Sequence, residues 1–136
     1  MNKVFVFDTN SLISAALIPE SVNKKALLKA INLGILAISN LTLAEFVEVL
    51  FREKFDSYFK NDGERWEIID EIYLGSEFFV PNVSIRACRD PKDDKYLELT
   101  VSVQADCIVT GDKNLLVLHL FRSIPIMNAS DFLENF

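Results

Sequence analysis

The residues of this chain best suited to chemistry are four carboxylates, Asp8, Glu45, Asp94 and Asp112, far apart in sequence and each beside an apolar run. An oxygen-only donor set suits a hard cation such as Mg²⁺ or Mn²⁺ and would not suit zinc or copper. In one pocket, four unneutralised carboxylates repel one another and at least one pKa rises, a difficulty that a divalent cation removes. Two such ions would take the formal net charge of −6 to about −2 and leave a locally positive centre able to hold a phosphodiester. Each acid has an ordinary structural job as well. Asp8 can start a helix, Asp112 can make a turn after Gly111, and either Asp93 or Asp94 can cap the helix they open. At about 100° per residue this doublet flanks the side carrying Leu97 and Val101, so at least one member should point inward or into a cleft. Glu45 ends the string TLAE from Thr42, which matches a capping box, and lies roughly opposite the apolar stripe of its helix. It reaches a site only if that polar face lines the cleft.

Arg86, Arg89, Lys92 and Lys95 surround the acidic doublet, where they can contact flanking phosphates or form a mixed-charge solvated loop. Other chemistries are excluded by absence. The chain has no GxxxxGK[ST] phosphate loop, no GxGxxG, no GxSxG elbow and no HExxH. His119, the one histidine, sits in the apolar run LLVLHLF and reads as structural, so no histidine triad or multi-histidine metal site can be built from one chain. Fourteen basic against 20 acidic residues argue against holding nucleic acid through a broad positive surface. Cys88 and Cys107 form no CxxC pair and read as reduced thiols.

The elements that must position these residues follow from periodicity. KVFVF (Lys3 to Phe7) is a buried first strand with Asp8 at its carboxyl end. Helices are predicted over Ser11 to Leu17, from Ser21 to Gly34, through the stripe Leu43, Phe46, Val47, Leu50 and Phe51, and over Glu64 to Leu74. Further strands are predicted at Ile35 to Ser39, Glu77 to Val80, Cys107 to Thr110 and, at an edge, Ser123 to Met127. A helix from Asp93 or Asp94 to about Val103, a short one near Asn114 to Leu118 and a terminal one from Ser130 complete the pattern. Strands alternating with helices predict an α/β protein, a three-layer α/β/α sandwich with a central mostly parallel sheet. At 136 residues, positions 1–136 are expected to form a single domain. No window is apolar enough for a membrane span and the start meets Asp8 before a signal-peptide core can form, so a cytoplasmic location is expected.

The blocks VFDTN at Asp8, TLAEF at Glu45, CRDPKDDKYLEL around Asp94 and CIVTGDKNLL around Asp112 together resemble the PIN-domain family. The likeness is nearest to its toxin branch in bacterial and archaeal toxin–antitoxin pairs, related to the VapC-like ribonucleases. It extends over nearly the whole chain, including the ending IPIMNASDFLENF. The resemblance implies a PIN-like α/β/α sandwich and metal-dependent cleavage of phosphodiester bonds, usually in RNA, with one or two Mg²⁺ or Mn²⁺ ions. Residue by residue, Asp8, Glu45, Asp94 and Asp112 match the family's four acids, Asn10 and Ser14 match polar positions beside the first, and Thr110 matches the hydroxyl residue before the last. Asp90 and Asp93 accompany the third acid as supporting or accessory ligands. On this reading Asp8 and Asp94 are the main ligands, Asp112 is a ligand directly or through water, and Glu45 orients or deprotonates the attacking water. Asn114 and Thr100 depart from the usual pattern, where another acid and an alanine are common.

The resemblance further implies an RNA substrate, a small antitoxin protein that enters the active-site groove, and a homodimer. Eleven Phe residues could supply an interface or simply fill the core. Two rivals remain: a catalytically silent PIN-fold domain that binds RNA or protein, and an aspartate-nucleophile phosphatase, which usually needs an acid where Asn10 stands.

Overall fold

The run KVFVF carries no polar interruption because both of its faces are covered. In the computed structural model of the chain, which describes residues 2–136, it forms β1 (Lys3–Phe7) at the centre of a five-stranded sheet. Its neighbours are β2 (Gly34–Ile38) and β4 (Cys107–Val109), with β3 (Ser76–Phe78) and β5 (Ile126–Met127) at the edges, so the order is β3-β2-β1-β4-β5. Every pairing is parallel. This is the predicted class, a parallel sheet between helical layers.

Alternation along the strands sorts the core into two clusters. Phe5, Phe7, Leu36, Cys107 and Val109 point to one face. There they meet α1 (Thr9–Leu17), α2 (Val22–Leu33), α3 (Asn40–Leu50), α4 (Asp62–Leu74) and α7 (Ala129–Asn135). Val6, Ala37, Ile108 and Ile126 point to the other face, which is covered by α5 (Asp94–Val103), by Leu115 of α6 (Lys113–Leu116) and by Ile85. The phenylalanines go largely to this core. Phe132 packs edge-on against Phe5 at 5.2 Å and stacks on Phe136 at 5.0 Å.

The observed bounds differ from expectation in instructive ways. The first helix begins at Thr9 because Asp8 caps it, accepting from the Ser11 N–H. Helix α3 is capped by Ser39, whose partner in the capping box is Thr42, so the box predicted from TLAE is displaced by one turn and Glu45 is no part of it. The aperiodic stretch after α3 contains a 3₁₀ turn, Glu53–Tyr58, held by the buried Arg65. Helix α2 ends at Gly34 as expected, its N–H closing the last turn on the Ala30 carbonyl, and its φ of −177° is ordinary extended backbone. What requires glycine is the approach of β1: a Cβ there would lie 1.9 Å from the Lys3 carbonyl oxygen. The expected edge strand at Ser123 to Met127 contracts to Ile126–Met127. His119 is structural, its Nδ1 accepting from the Ile126 N–H at 3.0 Å. Both cysteines are free, with their thiols raised to about 12, chiefly by burial.

Candidate active site

In a parallel sheet, ligand crevices open beyond the carboxyl ends of the strands where the strand order reverses. Here that point lies between β1, which connects to β2 on one side, and β4 on the other. Asp8 leaves β1 and Asp112 follows β4, and both line a polar cavity of about 120 Å³ with Glu45 of α3 and Asp93. Each owes its position to local folding. Asp8 caps α1, and its second carboxylate oxygen accepts from the Thr110 hydroxyl. Thr110 in turn accepts from the Asp112 N–H at 3.0 Å, and Asp112 caps α6 by accepting from the Asn114 N–H at 2.8 Å. Asn114, which departs from the family pattern, therefore has a structural use for its backbone.

Glu45 is held on both sides. Its Oε2 accepts from the Thr9 hydroxyl at 3.0 Å and from the Tyr96 phenol, and its Oε1 pairs with Lys95 Nζ at 3.2 Å. Thr9 also donates its N–H to the Tyr96 oxygen at 3.2 Å, closing a buried triangle of Thr9, Tyr96 and Glu45. Sequence reasoning missed Thr9 and Tyr96. Thr9 lies between an obvious acid and the predicted helix start at Ser11, with no pattern to mark it, and Tyr96 reads as a core aromatic, which its ring is.

The two members of the acidic doublet part company. Asp93, at the end of the 3₁₀ turn Pro91–Asp93, lines the acidic cavity, whereas Asp94 does not. Asp94 is 8% exposed and turns the other way, its Oδ1 accepting from the N–H groups of Ala87 at 3.1 Å and Cys88 at 2.8 Å. Burial opposes its charge, but those two donors and the charge of Arg86 outweigh it and hold the carboxyl below its ordinary value. Asp93 behaves oppositely. Burial, then the charge of Asp112 and a hydrogen bond with it, then the charges of Asp90 and Glu45, push its carboxyl up to about 6. Burial also raises Asp8 above the ordinary value, against the lowering effect of its bonds to Thr110 and Ser11, and Asp112 adds to the rise.

The remaining expected residues are scattered. Asn10 lines the acidic cavity and a neighbouring groove, and Ser14 lines that groove only. Asp90 is exposed and caps the 3₁₀ turn through the Lys92 N–H. Arg86 lines a separate pocket with Asp94, Arg89 and Lys92 are exposed, and Lys95 is committed to Glu45. The cation that does line the acidic cavity is Arg52, which sequence reading did not single out and which pairs with Glu48 at 2.9 Å.

The chemistry of this donor set fits a divalent cation: the donors are carboxylate oxygens, and the charges of Asp112, Asp90 and Glu45 add to the burial that raises Asp93. The cage is not preassembled. Among the described residues no group of three or more His, Cys, Asp or Glu side chains stands close enough to share an ion. No described helix is long and apolar enough to cross a membrane.

Comparison with known proteins gives a consistent picture. The family model for the PIN domain matches residues 4–114. An uncharacterized protein of Methanocaldococcus jannaschii, MJ1680, is 28% identical over 116 residues, covering 83% of this chain and 73% of the relative. Two solved structures share the fold. A chain of VapBC2 from Rickettsia felis, crystallised bound to a DNA fragment from their promoter, superposes with a TM-score of 0.64 at 14% identity over 92% of this chain and 98% of that one. PAE2754 from Pyrobaculum aerophilum superposes with a TM-score of 0.64 at 16% identity, covering 97% and 88%.

Proposed function

This chain belongs to the PIN domain family, and from that premise we propose that it is a metal-dependent ribonuclease that hydrolyses phosphodiester bonds at the acidic cavity. The observation that carries the reading is the convergence of Asp8, Glu45, Asp93 and Asp112, from four separate segments, on one cavity at the switch point of the sheet. Asp8, Asp93 and Asp112 would hold Mg²⁺ or Mn²⁺, one ion or two. Such an ion, when bound, polarises a phosphoryl oxygen and lowers the pKa of a bound water. The chain's own residues do the rest. Tyr96 and Thr9 fix Oε2 of Glu45 and Lys95 holds Oε1, whose remaining lone pair would orient the attacking water and accept its proton. Lys95 pairs with Glu45, and Arg52 offers a cation to the phosphate at the cavity wall. Thr110 positions Asp8. Asp94 fastens residues 87 and 88 against the start of α5, which makes it a positioning residue in this scheme.

A toxin role beside a small antitoxin, a homodimeric state, a single domain and a cytoplasmic location belong to the same proposal. Its support is family membership and the likeness to a chain of VapBC2. A second reading, a catalytically silent PIN-fold domain that binds RNA or protein, is favoured by the lack of three preassembled carboxylates. The deciding experiment incubates end-labelled RNA and single-stranded DNA with the protein in Mg²⁺, in Mn²⁺ and in chelator, with Asp93→Asn in parallel. Cleavage of RNA that needs metal and vanishes in the variant is the expected result. Inert protein that still binds RNA or a protein partner would replace the enzyme by the silent domain.

A further inference from the structure

Beside the acidic cavity lies a larger groove of about 480 Å³, walled by α1, α2, the turn after β4 and the start of α7. It shares Asn10 and Asp112 with the acidic cavity, so the two are continuous. Their linings differ in kind. The groove presents the carboxamides of Asn10 and Asn23 and the hydroxyls of Ser14 and Ser130, and Asp112 is its only charged residue among those described. The groove offers no Arg or Lys side chain to a phosphate and only Val22 and Ala129 to an apolar ligand. Neutral side chains that both donate and accept match the edge of a nucleobase and the hydroxyls of a ribose. The volume exceeds the lower limit for pockets that hold small organic molecules, about 300 Å³.

We propose that this groove is a nucleoside subsite, which holds the base and ribose next to the phosphate seated in the acidic cavity and sets which RNA sites are cut. The phosphate's place rests on the ribonuclease reading above; the groove's own chemistry does not. Asn10, exposed at the boundary of the two cavities, faces the sugar, and Asn23 on α2 reads the base edge. Gly111 keeps the entrance open: a Cβ built there meets nothing within 4 Å, and no glycine of the chain has a positive φ, so a side chain at 111 projects into free space without backbone strain.

Two variants test this. Gly111→Val obstructs the groove, and Asn23→Leu removes a polar reader on a helix that tolerates leucine. For Asn23→Leu the KM for RNA should rise about five- to tenfold, the loss of one or two hydrogen bonds, with kcat within about twofold and with altered cut-site preference. Gly111→Val should raise KM at least as much. Unchanged KM and an unchanged cut pattern in both variants overturn the subsite while leaving a ribonuclease intact. If wild type cuts no RNA, the ribonuclease reading falls and binding decides the groove alone. Titration with the four ribonucleoside 5′-monophosphates, followed by NMR, should then shift the side-chain amides of Asn10 and Asn23 in wild type, and the Asn10 shift should weaken in Asn23→Leu. Absence of such shifts with all four overturns the subsite.

Discussion

Asp93 and Asp94 are adjacent acids with opposite electrostatics, and the difference can be measured. Asp94 is stabilised as a carboxylate by two backbone donors, so Asp94→Asn should lower stability by about 1–3 kcal/mol in urea denaturation, the range for a buried charge-assisted hydrogen bond. Asp93→Asn removes a repelled charge and should leave stability unchanged or higher while abolishing metal-dependent cleavage. The pH dependence carries the same sign. A carboxyl raised in the folded state binds its proton more tightly there, so in chelator the Tm should climb as pH falls through about 6 toward the ordinary carboxyl value of 3.8, because Asp8 and Asp93 are both raised. Asp94 works in reverse, contributing above its ordinary value of 3.8 and losing its contribution as pH falls through its lowered one. Asp93→Asn should flatten part of the climb, and a Tm that is flat over this range in wild type would contradict the repulsion inferred in the cavity. Tyr96→Phe removes only the phenol oxygen of a ring that is 2% exposed. It should cost about 1 kcal/mol and lower kcat about tenfold, with KM less affected, if the phenol serves to aim Glu45. The four acidic blocks were legible in sequence, but which member of the doublet faces the cavity was not. The choice is made by the Pro91–Asp93 turn and by the aperiodic stretch at Ala87 and Cys88 that Asp94 fastens, neither of which has a repeat to read.

At the scale of elements, the central strands were legible because a strand covered on both faces must be a short uninterrupted apolar run, as KVFVF is. Helices α2 and α3 were legible from their stripes, each burying one face and exposing the other. Elements whose stability comes from distant partners were not. Arg65 donates to the Leu50 carbonyl at 2.9 Å and to Asp56 at 2.7 Å, and sits against the rings of Phe51 and Phe59. No local pattern announces that staple, so the 3₁₀ turn it secures was read as shapeless. Gly34 is the complementary case, legible in sequence as the end of α2 but not as the point where β1 comes closest. If it were needed only to stop α2, Gly34→Ala would be nearly neutral. Because the added Cβ would fall 1.9 Å from the Lys3 carbonyl oxygen and 2.6 Å from its carbon, β1 and β2 must separate at this register. The variant should therefore lose more than about 2 kcal/mol in denaturant unfolding, in the range of strain from overpacking, with faster hydrogen exchange at the start of β1.

For the whole molecule the problem is charge. On the proposed ribonuclease reading, a protein of net charge −6 cannot draw RNA in by a general field, since both partners are negative. At the acidic cavity itself cations are few: Arg52, exposed in its pair with Glu48, stands at the wall, and Lys95 is paired with Glu45. Attraction for the substrate must then be local, arising from a metal held by the acids, from Arg52 at the cavity wall and from neutral contacts in the adjoining groove. Proteins that neutralise six to ten phosphates lose about 10³–10⁵ in affinity between 50 and 200 mM salt. Here few phosphates are neutralised by side chains, so binding of a short RNA by Asp93→Asn, which should not cut it, should fall less than about tenfold over that interval. Fluorescence anisotropy with a labelled oligonucleotide measures this directly. A steep dependence would show that Arg86, Arg89 and Lys92, exposed beside the third acidic block, form a phosphate track after all, and recognition would move from the cleft and its groove to that loop.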